Sequence, residues 1–171
     1  MYRLRELERK DLREINKWRN DKDLIDCLGA TFRFINNEVD EKWFDNYMSG
    51  RNTQVRCSIV DESDNILGLV SLVKIDNINQ SAELHIMIGG LNNRGKGIGT
   101  FAVKGVLNHA FFNLNLNRIE LTVLSNNERA IALYEKIGFK REGIKRKARY
   151  KNGKFVDMIL YSLLKDEYYE C

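Results

Sequence analysis

Apolar positions along the chain recur with two periods, and each change of period marks an element boundary. Residues 1–8 alternate and predict an edge strand; from Asp11 onward Leu12, Ile15 and Trp18 fall three apart, the spacing of one helix face. A short second helix is expected over 23–28. Asn37 can cap a third, which carries Val39, Trp43, Phe44 and Tyr47 and stops at Ser49-Gly50. Strands follow at 54–60, 66–75 and 82–89, separated by polar turns at 61–65 and 76–80, as an antiparallel meander. Helical spacing returns over 97–114 through Ile98, Phe101, Ala102, Gly105, Val106 and His109. Residues 119–124 are strand-like, and Ala130, Leu133, Tyr134 and Ile137 form the stripe of a helix that begins at Asn127 and is stopped by Gly138. The chain closes with strands at 139–150 and 155–164. They are joined through Asn152-Gly153, a pair that tolerates the positive φ of a type I′ turn.

A meander, one strand–helix–strand crossover, then a helix and a hairpin predict an α+β fold: a mixed, mostly antiparallel central sheet flanked by helices, not a doubly wound parallel sheet. Proline is absent and the 12 glycines form no linker, so residues 1–171 read as a single domain. The composition, 43% hydrophobic and 30% charged, suits one core. No stretch approaches the roughly 20 apolar residues of a membrane span. The charged start resembles neither a signal nor a transit peptide, so a cytoplasmic location and no membrane partner are expected. Cys27, Cys57 and Cys171 lie far apart and the histidines number two, His85 and His109, which indicates neither a disulfide scaffold nor a metal site.

The segment Gly89-Gly90-Leu91-Asn92-Asn93-Arg94-Gly95-Lys96-Gly97-Ile98-Gly99-Thr100 stands between a strand and a helix start. Alternate residues without Cβ let the backbone curl until successive N–H groups converge, and the helix start adds about half a positive charge. That suits a pyrophosphate. A P-loop is excluded because Gly97 stands where Ser or Thr would hold magnesium. A dinucleotide fingerprint, Gly97-x-Gly99-x-x-Ala102, lacks the surrounding βαβ units. A plain strand-to-helix connection is the bland alternative.

Arg94-x-x-Gly97-x-Gly99 after an extended strand resembles the acetyl-CoA loop of the GNAT acyl-CoA N-acyltransferase superfamily. Some 30 residues on, Asn127, Ala130, Tyr134-Glu135-Lys136 and Gly138-Phe139 resemble its C-terminal motif. Gly68-Leu69-Val70, Ser81 to Ile88 and Ile159 look closest to spermidine N-acetyltransferases and the related ribosomal-protein alanine acetyltransferases. Trp18-Arg19-Asn20 instead looks like enzymes that acetylate amino groups of nucleotide-linked sugars.

Attack of an amine on a thioester requires an acceptor for the amine's proton, stabilisation of the carbonyl charge and an acid for the leaving thiolate. In the strand 82–89, Glu83, His85 and Met87 share one face and Ala82, Leu84, Ile86 and Ile88 the other. The resemblance implies Glu83 as base, with His85 as pocket lining or alternative base, and Tyr134 as the acid that protonates coenzyme A. From pattern alone, Glu83 could equally be a salt-bridged carboxylate and Tyr134 a core tyrosine. Acetyl-CoA is the implied co-substrate. Its pantetheine would lie beside Met87, Ile88 and Gly89, and its pyrophosphate on Arg94, Gly95, Lys96, Gly97, Ile98, Gly99 and Thr100. Asn127 would hydrogen-bond the pantetheine, although helix capping explains it equally well.

The acceptor is read less directly. A small-molecule amine such as spermidine would need carboxylates, for which Asp21, Asp23, Asp26, Glu38, Asp40, Glu41 and Asp45 are candidates. Of these Glu41 is assigned to substrate binding, together with Trp18, Arg19 and His85. An amino-sugar nucleotide, a protein N-terminus and a non-catalytic acyl-CoA sensor are the alternatives. Between Lys140 and Lys154 eight basic residues stand against the acid Glu142. Lys145, Lys147, Arg149 and Lys151 would share one strand face, read as solvated, so no nucleic-acid partner is expected from the net charge of +4. Self-association is left open by the sequence.

Overall fold

The computed structural model describes residues 1–169; Cys171 lies outside them. Seven strands form one sheet in the order β1-β2-β3-β4-β5-β7-β6: β1 Arg3–Glu6, β2 Val55–Val60, β3 Ile66–Asp76, β4 Ser81–Ile88, β5 Arg118–Leu124, β6 Lys140–Lys151 and β7 Lys154–Leu164. Every neighbouring pair is antiparallel except β4 and β5. The expected mixed sheet and meander are therefore present.

The helices are α1 Leu12–Arg19, α2 Lys22–Asp26, α3 Asn37–Ser49, α4 Ile98–Asn108, α5 Glu128–Ile137 and α6 Lys165–Tyr169. Four details differ from expectation. The α3 cap is Asn36, whose side chain accepts from the Val39 N–H, so Asn37 is the first helical residue. α2 is shorter, ending at Asp26. The helix expected over 97–114 starts at Ile98 and widens at His109–Asn113 into a π-helical turn. The hairpin does not close the chain, because α6 follows it. The hairpin turn itself is as expected: Lys151 pairs with Lys154, with φ +48° at Asn152 and +81° at Gly153.

The sheet buries both faces. On one, β2 to β5 and β7 pack Ile59, Val70, Leu72, Ala82, Leu84, Ile119, Leu121 and Leu163 against α4 and α5. On the other, Leu69 joins Leu7, Leu12, Ile15, Phe44 and Tyr47 beneath α1 and α3, with Trp18, Trp43 and Met87 at the margin. The alternation read in β4 thus assigns Ala82 and Leu84 to the α4 side and Met87 to the α1/α3 side.

The basic face read for β6 is corrected. Between Lys145 and Arg149 the register with β7 slips, and Lys147 has φ +50°, so alternation is broken there. Lys151 is buried and donates to the carbonyls of Ile25 (2.9 Å) and Ala30, while Arg149 Nε donates to the Gly29 carbonyl at 2.9 Å. Both cations hold the crossing from α2 to α3; Lys151 is withdrawn from water, while Arg149, like Lys145 and Lys147, remains exposed.

Among the described residues no helix is long and apolar enough to cross a membrane.

Candidate active site

β4 and β5 run parallel but pair only at Ser81–Arg118, Ala82–Ile119 and Glu83–Glu120, after which they diverge. The remainder of β4 therefore presents unpaired backbone to a wedge-shaped gap. Its direction follows from one bond: the Gly89 N–H donates to the Leu67 carbonyl at 2.8 Å, so in this antiparallel ladder Gly89, Met87 and His85 turn their backbone groups to β3. Leu84, Ile86 and Ile88 turn theirs to the gap. Of the three residues expected beside pantetheine, Ile88 turns its backbone groups to the gap and Met87 and Gly89 turn theirs to β3. Gly89 is further engaged through its carbonyl, which accepts from Asn93 Nδ2 at 2.8 Å. Its lack of a Cβ serves packing, since that atom would lie 1.9 Å from the Trp18 ring.

Beyond Gly89 the chain turns through left-handed conformations at Gly90 (φ +71°), Gly95 (+79°) and Gly97 (+77°). Added Cβ atoms at Gly95 and Gly97 would meet nothing within 4 Å, so these glycines are required by backbone angle and not by crowding. Gly97 caps α4 without a side-chain oxygen, and the first helical bond runs from the Phe101 N–H to its carbonyl. The N–H groups of Ile98, Gly99 and Thr100 are thus left over at the positive end of the helix, an anion site of three converging donors. Arg94 and Lys96 enter no ion pair among the described residues. Gly99 stands where a Cβ would approach Leu133 Cδ2 to 3.2 Å, which brings the head of α4 against α5.

Tyr134 projects from α5 beside Phe139, ring centroids 5.7 Å apart, and is 7% exposed. Its hydroxyl makes no hydrogen bond among the described residues, yet no buried side-chain oxygen lacks a partner. The phenol oxygen is consequently not wholly sealed from solvent. Burial of the ring pushes its pKa up to about 12, which keeps the hydroxyl protonated across the physiological range.

Glu83 and His85 are brought together on one face of β4, as the strand period predicts. Glu83 Oε1 lies 2.8 Å from His85 Nε2, and Oε2 accepts from Lys74 Nζ at 2.7 Å. Burial pushes the Glu83 carboxyl up, but the bonds from His85 and Lys74 outweigh it and hold the group below the usual carboxylate value. Lys74, absent from the sequence-based site, owes its position to a bulge between Val73 and Asp76 that no residue spacing announces.

The acceptor-side assignments fare differently. Trp18 covers Gly89 at the end of β4, next to the loop. Arg19 pairs with the buried Asp40 of α3 and lies over Trp43 at 5.6 Å, the ring that Arg56 also covers. Glu41 pairs with Arg9, and Asp45 binds the same guanidinium at 2.6 Å. Asp21 caps α2, and Asp26 is held by Lys22 and Asn152. Asn127 makes one bond at each end of its amide, Oδ1 capping α5 at Ala130 and Nδ2 donating to the Cys27 carbonyl at 2.8 Å, which leaves one N–H and one lone pair over. Arg56, missed by sequence reasoning, lies between Trp43 (4.9 Å) and Tyr47 in the cross-strand row Arg56–Ser71–His85.

The arrangement offers a splayed strand pair, unpaired N–H groups at the head of α4 and a protonated phenol on the adjoining helix. The acetyltransferase (GNAT) domain family matches residues 2–140.

The chain belongs to the GNAT acetyltransferases.

It is 32% identical over 165 residues to the spermidine N(1)-acetyltransferase of Vibrio cholerae serotype O1, covering 96% of this chain and 94% of that one. The putative ribosomal N-acetyltransferase YdaF of Bacillus subtilis is 39% identical over 103 residues, 60% of this chain and 56% of its own. A crystal structure of the Vibrio cholerae spermidine N-acetyltransferase with CoA and spermine superposes with a TM-score of 0.92 at 30% identity, covering 98% of both chains. A dodecameric structure of that enzyme covers 98% of this chain at a TM-score of 0.83. The chain is thus a GNAT N-acetyltransferase, with the fold its sequence implied.

Proposed function

We propose that this N-acetyltransferase transfers the acetyl group of acetyl-CoA to a primary amine of a polyamine such as spermidine, by direct attack. The observation that carries the reading is the placement of a protonated phenol, Tyr134, and a carboxylate–imidazole pair, Glu83–His85, on elements that flank the gap between β4 and β5. In this reading the pantetheine adds beside Leu84, Ile86 and Ile88 as a pseudo-strand, and the pyrophosphate accepts from the N–H groups of 98–100. Arg94 and Lys96 add charge. The amine nitrogen forms its bond to the thioester carbon, the C–S bond breaks, and Tyr134 gives its proton to the thiolate.

Full-length similarity to spermidine acetyltransferases, one of them described with spermine, supports a polyamine over a nucleotide-linked sugar or a protein N-terminus. Asp26, Asp40, Glu41 and Asp45 are tied to neighbouring cations, as are Glu83 and Glu120, whereas Asp23 and Glu38 enter no ion pair among the described residues and are the candidate acids left to draw the ammonium. A homo-oligomer is the expected state, by analogy with the dodecameric relative. Purified protein offered acetyl-CoA with spermidine, spermine, amino-sugar nucleotides and short peptides should acetylate the polyamines with the highest kcat/KM. Preference for another class would overturn the acceptor, and tight CoA binding without transfer to any amine would support a sensor.

A further inference from the structure

The acetyl-transfer reading leaves open which atom receives the proton of the amine, and the surroundings of Glu83 decide it. In the bulge of β3, residues 73 to 76 oppose residues 83 to 81, one residue more than the partner strand. Lys74 sits in this bulge with φ +52°, a left-handed conformation that a residue with a Cβ rarely adopts. The outcome of that conformation is an ammonium delivered across the strand to Glu83 Oε2 at 2.7 Å.

The other oxygen, Oε1, faces His85 Nε2 at 2.8 Å. An ionised carboxylate can only accept, so Nε2 carries the hydrogen and the lone pair of the ring is on Nδ1. Glu83 has both oxygens engaged and its side chain is 19% exposed; His85 is 57% exposed. The side chain able to meet an incoming amine is the imidazole.

We propose that His85 Nδ1 accepts the amine's proton, that Glu83 fixes the histidine tautomer and steadies the imidazolium, and that Lys74 is a positioning residue that holds Glu83 for this task. The assignment rests on the acetyl-transfer reading above. The nitrogen lone pair forms the C–N bond while the C–S bond breaks; the proton leaves the nitrogen for Nδ1, the thiolate takes the Tyr134 proton, and both side chains re-equilibrate with water. Besides Lys74 and His85, the charged groups around Glu83 are Glu120 on β5, held by Arg118, which also binds Glu142 on β6, and Arg56 on β2, in the row of His85.

The test uses the full-length protein with spermidine and two kinds of readout. His85→Ala should lower kcat by about 100-fold or more, with partial rescue by added imidazole and unchanged acetyl-CoA binding. Lys74→Met should move the acid limb of kcat/KM to higher pH, because removing a positive charge beside the pair favours its protonated form, and Lys74→Arg should restore the wild-type profile. A His85→Ala variant with wild-type kcat and acid limb, alongside an inactive Glu83→Gln, would overturn the assignment in favour of Glu83.

Independently of turnover, nitrogen-15 NMR of histidine-labelled protein resolves the tautomer, with the two histidines distinguished by His85→Ala. An Nε2–H form of His85 is expected, and an Nδ1–H form refutes the proposal. Should wild-type protein prefer another amine, the polyamine acceptor fails and the same variants decide the base on that amine. No transfer to any amine refutes both, whatever the tautomer.

Discussion

The loop from Gly89 to Thr100 and the crossing from Ile25 to Ile35 are both irregular, yet they are shaped by opposite means. In the first, three left-handed glycines and a bare helix start set the path, and the groups offered to a ligand are main-chain donors. In the second, side chains from elsewhere grip the main chain. Lys151 takes the carbonyls of Ile25 and Ala30, Asn127 that of Cys27, Arg149 that of Gly29, and Asn20 both backbone groups of Ile35. A backbone-built site depends on φ angles and survives wide change in side chains. A crossing held from outside depends on a few distant cations and amides.

The sharpest probe of this contrast lies outside both segments. Tyr134→Phe should lower kcat by about 100-fold or more while calorimetry shows near-normal acetyl-CoA affinity, since the donor is held by backbone and not by the phenol. In the wild-type enzyme, the pKa near 12 predicts that activity persists at pH values where an ordinary phenol, near ~10, would have ionised. An alkaline limb caused by Tyr134 near its ordinary value would contradict the buried setting.

Next in size, Gly97→Ala forces a Cβ into φ +77°, a strain of about 1–2 kcal/mol, and should raise the KM for acetyl-CoA about tenfold with little change in acceptor KM. Lys151→Met should do the reverse. Two carbonyls lose their donor, stability falls by about 1–3 kcal/mol as read by denaturant unfolding, and acceptor KM rises while acetyl-CoA affinity holds. If both variants disturbed donor and acceptor alike, the two segments would not be separate devices. The smallest effect belongs to Glu41→Gln, which breaks an exposed pair with Arg9 and should leave Tm and acceptor KM unchanged within error; a raised spermidine KM would return Glu41 to the site.

What could be read in advance follows the same division. Glycine spacing, strand period and the Asn127–Gly138 helix frame are local rules, so the loop, the face shared by Glu83 and His85, and the position of Tyr134 were legible. Lys74 was not, because a bulge changes the direction of a side chain without leaving a mark in composition. Arg9 reaches Glu41 and Asp45 from more than 30 residues away, so these two acids of α3 read as unpaired when both share one guanidinium. Lys151 belonged to a basic run that reads as solvated until the register slip between Lys145 and Arg149 is known. The five residues of α6 are too few for a period to show.

The grip on the crossing has one further consequence. Its anchors act on carbonyls and amides, so the exposed side chains of Thr31 and Arg33 enter none of the bonds that set the path, and Phe32 and Phe34, the latter almost wholly exposed, add a ring contact with each other at 5.3 Å. Such a stretch can be rewritten residue by residue without unseating the chain. The course of the main chain there is uncoupled from its own spelling, its margins pinned by a neighbouring hairpin and helices.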